Sequence, residues 1–129
     1  MIPVAPFVIH EKDCALQGWK NTKIGDGRWR TLVSGDRTPS DALTAGVLEL
    51  SPGERLTFDL HKHTQPEIYY VLGGEGTVNL AGEKHAVEAG NLVFIPGEIE
   101  HTAENTGSGI LRIFYVFPAD SFSEIDYRR

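Results

Sequence analysis

From Leu43 onward the chain alternates short β-rich runs with turn residues. The runs are Thr44 to Leu50, Arg55 to His61, Glu67 to Leu72, Gly76 to Leu80, Lys84 to Val87, Leu92 to Ile95, His101 to Asn105 and Ile110 to Phe117. Ser51-Pro52-Gly53, Gly73-Gly74, Ala81-Gly82, Ala89-Gly90 and Pro96-Gly97 separate several of them, each able to turn the chain at low cost. The pattern predicts an all-β fold of eight short strands in a meander. No amphipathic helix is long enough to cover a sheet face, so the strands must protect their edges by closing or packing on themselves, and a barrel is the expected solution. The first forty residues are less regular. They hold an apolar segment at Val4 to Ile9, Trp19, Trp29 and a possible strand at Arg30 to Val33, broken by Gly25, Gly27 and Gly35. We expect residues 1–40 to form an irregular arm with one or two strands, packed on a barrel built from residues 41–129. The tail from Asp120 has room for one helical turn or a last strand, and its periodicity does not choose between them.

Composition narrows the picture. A chain of 129 residues can bury one substantial core, and two would be hard to fit, so a single domain is expected. The net charge of -6 and the dispersed basic residues lack the electrostatic footprint of a nucleic-acid binder. No apolar run is long enough to span a bilayer, and Met1 to Cys14 carries prolines and acids where a signal peptide needs a basic start and an apolar centre. A cytoplasmic protein without nucleic-acid or membrane partners is therefore expected. Cys14 is the single cysteine; it excludes an internal disulfide and is expected to be an ordinary small side chain.

The candidate chemistry lies in the histidines. On a strand, residues two apart share a face, so His61 and His63 would present both imidazoles to one side. Pro66 interrupts the ladder before Glu67, which suggests a bend that turns its carboxylate to the same centre. His101 follows the Pro96-Gly97 turn, where the chain runs back past its predecessor. Three imidazoles and a carboxylate make a mixed nitrogen and oxygen site for one divalent transition metal (Fe, Zn, Ni or Mn), with positions left for substrate or water. His10 and His85 are read as unrelated surface or core residues. Tyr69, two residues beyond Glu67, shares its inward face, whereas Tyr70 should point outward.

These residues fall in a longer pattern. Gly53, then His61-Lys62-His63-Thr64-Gln65-Pro66-Glu67 and Gly74 resemble the first motif of the cupin superfamily; Gly90, Pro96, His101 and Asn105 resemble the second. Two departures stand out: Gly53 to His61 is two residues longer than the usual form, and Glu98 replaces a glycine two places after the proline. The resemblance implies a double-stranded β-helix, the cupin jelly-roll barrel, with the metal inside, and small members are often homodimers. The set His61, His63, Glu67, Tyr69, His101 and Tyr127, with the closing Phe117-Pro118-Ala119-Asp120-Ser121-Phe122, is further similar to the small single-cupin dimethylsulfoniopropionate lyases. That likeness implies a small, carboxylate-bearing substrate held on the metal and a β-elimination started by a tyrosine base, Tyr69 first and Tyr127 second.

Other chemistries suit the same ligands. An Fe(II) dioxygenase uses open positions on such a metal. A sugar or uronate isomerase would move a proton on polarised substrate, with polar wall residues such as Asn79, Asn105 or Arg112 as candidates. A cupin can also bind a small ligand without turnover. Lys20, Arg28, Arg30, Arg55 and Arg112 are available to anions, but each is more simply a solvated surface charge.

Overall fold

The computed structural model describes residues 3–128. Nine strands form: β1 (Leu16–Gly18), β2 (Arg28–Val33), β3 (Thr44–Leu50), β4 (Glu67–Gly73), β5 (Glu75–Leu80), β6 (Glu83–Glu88), β7 (Leu92–Ile95), β8 (His101–Glu104) and β9 (Leu111–Phe117). They lie in two antiparallel sheets, one ordered β1-β2-β3-β9-β4-β7 and the other β6-β5-β8. The fold is all-β, as the strand pattern requires, but the strands do not close into one continuous barrel. The connection between β3 and β4 instead touches the smaller sheet through single bridges to β8, Arg55 to Glu104 and His61 to His101.

Alternation decides which side chains face inward. In β4, Glu67, Tyr69 and Val71 are buried while Ile68, Tyr70 and Leu72 face out. In β9, Leu111, Ile113, Tyr115 and Phe117 are buried. With Leu48, Leu50, Val78, Val87, Val93 and Ile95 they make one core between the sheets. The predicted turns behave as expected at Gly53, Gly74, Gly82 and Gly90, all of which take positive φ. At Gly74 this combines with a close approach, since a Cβ there would stand 2.3 Å from the Ile110 carbonyl oxygen.

One expectation needs correction. Arg55 to His61 is no strand: isolated bridges join its two ends to β8, Leu56 and Thr57 bond to β8 as well, and the segment bends from there to His61. The amino-terminal region forms two strands, within the one or two expected. Here β2 pairs with β3 along its length and β1 adds to its other edge, so both belong to the large sheet. Val4 to Ile9 stays outside any strand. Of its two options the tail takes the helical one, a 3-10 turn at Phe122–Glu124, and beyond it forms no strand but an isolated bridge from Arg128 to Lys62. Among the described residues no helix is long and apolar enough to cross a membrane.

Candidate metal centre

The bridge between the sheets brings the first two ligand candidates together. His61 and His101 exchange backbone hydrogen bonds of 3.3 and 2.7 Å, which sets their rings 4.4 Å apart on the inner side. His63 reaches the same point, its ring 5.0 Å from that of His101. The candidate ligand nitrogens of the three histidines all lie within 4.8 Å of one another. Glu67, first residue of β4, places Oε1 3.3 Å from Nε2 of both His63 and His101. All four residues are buried. The structure thus converges the four residues singled out from the sequence. His10 and His85 stay away: His10 accepts a hydrogen bond from the Lys12 backbone, and His85 lies exposed beside Glu83.

The hydrogen bonds around the imidazoles fix where their protons sit. His63 Nδ1 and His101 Nδ1 each lie 2.8 Å from a backbone carbonyl, of Gln65 and Ile99, and a carbonyl can only accept. Both Nδ1 atoms therefore carry hydrogen, and in the neutral ring Nε2 offers a lone pair inward. These lone pairs face a carboxylate oxygen, which is itself only an acceptor. His101 Nε2 is buried with no hydrogen-bond partner among the described residues. Acceptors facing acceptors away from water are costly unless a cation lies between them. The donor set meets that demand, since three imidazole nitrogens and one carboxylate oxygen suit a divalent transition metal.

The charges agree with this reading. Burial, aided by the neighbouring His101 and His63, lowers the His61 pKa to about 3 against the pull of Glu67, so its imidazole stays neutral and ready to ligate across the physiological range.

Beside the ligands opens a cavity of about 450 Å³, lined by His61, Glu67, Tyr69, Tyr115, Tyr127 and Trp29 among others. Tyr69 is 2% exposed whereas Tyr70 is 41%, which confirms the inward and outward assignment. Tyr127 hangs from the tail with its ring 5.7 Å from His61 and 5.5 Å from His63. Burial and then the Glu67 charge raise the pKa of the Tyr69 phenol, and no hydrogen bond pulls it down. The far wall comes from residues the sequence did not mark as functional. Trp19 and Trp29 meet edge to face at 5.2 Å, Phe122 packs 6.0 Å from Trp29, and Lys20 and Arg37 also border the space. A tryptophan in the alternating run of β2 was the one available signal, and it could not say which cavity the ring would reach.

Comparison with known proteins agrees with the geometry. The cupin domain family matches residues 46–117, which span both motifs and all four ligand candidates. The chain belongs to the cupin family. Among curated cupins and their relatives, it is 36% identical over 127 residues to the dimethylsulfoniopropionate lyase DddW of Ruegeria pomeroyi, covering 98% of this chain and 82% of that protein. It also resembles the solved structure of a predicted oxalate decarboxylase from Thermotoga maritima, with a TM-score of 0.76 and 28% identity over 88% of this chain and 99% of that one. The polyketide cyclase RemF of Streptomyces resistomycificus superposes with a TM-score of 0.80 at 21% identity, covering 97% and 85% of the two chains, a likeness of fold.

Proposed function

We propose that this cupin is a metal-dependent lyase that eliminates dimethyl sulfide from dimethylsulfoniopropionate, with His61, His63, Glu67 and His101 as metal ligands and Tyr69 as the base. The observation that carries the reading is the buried phenol of Tyr69 on the same inward face as Glu67, in a cavity shared with His61 and Glu67, together with 36% identity to a lyase of that activity over nearly the whole chain. A bound divalent ion would supply a Lewis acid for the substrate carboxylate and a positive charge that favours the phenolate. Tyr69 then takes the proton from the carbon next to the carboxylate. The electrons of that C–H bond form the carbon–carbon double bond, the C–S bond breaks, and dimethyl sulfide leaves with its electron pair, giving acrylate. Tyr127, its ring beside those of His61 and His63, is the second candidate for the base and borders the same cavity from the tail.

The residues considered for an isomerase have other work. Asn105 is buried and donates to the carbonyls of Leu50 and Gly109, Asn79 caps the turn at Gly82, and Arg112 pairs with Glu49 and Glu11. Arg28 and Arg55 are likewise paired, with Glu54 and Glu104. The cavity volume favours one alternative, a cupin acting on a larger aromatic or carbonyl substrate, because the space and its ring-rich wall fall within the range of drug-sized ligands. One experiment separates the two. Protein loaded in turn with Fe, Zn, Ni or Mn is incubated with dimethylsulfoniopropionate, and release of dimethyl sulfide and acrylate in equal amounts is expected. No release with any metal would reject the lyase reading.

The same reading includes a homodimer. Tyr70 and Leu72 of β4 and Leu92 and Phe94 of β7 are exposed on the outer face and free edge of the large sheet, where solvent-facing apolar side chains favour a second copy. Light scattering is expected to give twice the mass of the single chain, and Phe94→Glu to halve it; a monomeric wild type would refute the dimer.

A further inference from the structure

We propose that Thr57 and Thr102 are positioning residues of the metal centre, whose hydroxyls form a one-way hydrogen-bond chain that holds His61 with its Nε2 lone pair toward the ion. The proposal rests on His61 being a ligand and goes beyond the family's ligand set. Thr57 is 4% exposed, and its Oγ1 lies 3.1 Å from His61 Nδ1. The Thr57 hydroxyl lies 2.8 Å from the Thr102 hydroxyl, which in turn donates to the Thr57 carbonyl at 3.0 Å. The Thr57 backbone N–H also reaches Thr102 Oγ1, at 3.2 Å.

The direction follows from proton counting. Each hydroxyl has one hydrogen to give. Thr102 Oγ1 faces the Thr57 N–H and hydroxyl as an acceptor, and its own hydrogen goes to the Thr57 carbonyl at 3.0 Å. Thr102 Oγ1 is thereby free to accept the Thr57 hydrogen, and Thr57 Oγ1 is left with lone pairs alone toward His61. Nδ1 must then be the protonated nitrogen of that ring, and Nε2 the free one. His63 and His101 reach the same state through backbone carbonyls, which no side-chain substitution removes. His61 alone among the three has its orientation written into side chains. The reason is local: residues 56–60 lack a ladder, and Thr57 ties this bending segment to β8 through Thr102.

The test uses zinc alone, titrated into metal-free wild type, Thr57→Val, Thr57→Ser and Thr102→Val, with long-range proton–nitrogen spectra of the histidines in the metal-free proteins. Loss of such a supporting hydrogen bond typically weakens metal binding about 10- to 100-fold, and that loss is expected for Thr57→Val. Thr57→Ser, which keeps the hydroxyl, should stay close to wild type. Thr102→Val should also weaken binding, because the Thr57 hydrogen loses its acceptor and can turn to His61. The spectra should show the His61 proton on Nδ1 in wild type and Thr57→Ser, and a shift toward Nε2 in the two valine variants. Wild-type zinc affinity in Thr57→Val, equal weakening in Thr57→Ser, or a wild-type His61 proton on Nε2 would each overturn the proposal. Failure of wild type itself to bind zinc would overturn the metal reading with it, whereas normal wild-type binding with a silent Thr57→Val overturns this inference alone.

Discussion

Tyr69→Phe is expected to lower kcat/KM for elimination by about 100- to 10,000-fold, the usual contribution of a positioned general base, while metal content and fold stay near normal. The substitution removes one oxygen from a fully buried ring whose packing the phenylalanine keeps. No hydrogen bond is among the causes that set the phenol's acidity, so little native bonding should be lost with it. Burial, the charge on Glu67 and the neighbouring phenols all keep the Tyr69 proton on when no cation is present. Activity should therefore vanish with metal removal and return on reconstitution. Tyr127→Phe in the same assay separates the two candidates: undiminished turnover by Tyr69→Phe together with collapse in Tyr127→Phe would transfer the base to the tail.

His101→Ala is expected to abolish stoichiometric metal binding and, with it, turnover. This histidine is 1% exposed, donates through Nδ1 to the Ile99 carbonyl and points toward Glu67 an Nε2 that has no hydrogen-bond partner among the described residues. Removing it takes away one of three imidazole donors and one of the two groups beside Glu67 Oε1. Metal affinity should fall by more than about 100-fold, the upper end of the loss seen when only a supporting group is removed. Elemental analysis after dialysis, with zinc titration calorimetry, reads the effect directly. Retention of one metal per chain at wild-type affinity would show that the ion, if bound, lies elsewhere.

Much of this site was legible because it depends on local spacing. His61 and His63 needed only the two-residue repeat, and Tyr69 and Tyr70 only the alternation of β4. The turn glycines needed only their backbone freedom. Arg55 to His61 misled because its composition is β-rich and it lacks glycine and proline. Its backbone partners are distant and scattered: Leu56 donates to Ala103 and Phe58 to Ile24, contacts that no local pattern announces. The same limit hid the cavity wall. Trp19 lies on the segment just after β1 and is held by a hydrogen bond from its indole to the Leu56 carbonyl, thirty-seven positions away. Thr57 and Thr102 were invisible for a similar reason, since their meaning lies in proton direction between segments forty-five residues apart.

Glu98 stands where the family pattern has glycine, and its φ of 66° is the left-handed geometry that glycine accommodates freely. A carboxylate in that place carries a local conformational penalty, yet it gains a grip: Glu98 accepts from Thr64 at 3.1 Å, pairs with Arg128, and donates its backbone N–H to the His63 carbonyl at 2.8 Å. Arg128 follows Tyr127 directly. One residue thereby fastens the tail to the turn between His63 and Glu67, a clasp that holds the neighbouring Tyr127 ring beside the buried histidines.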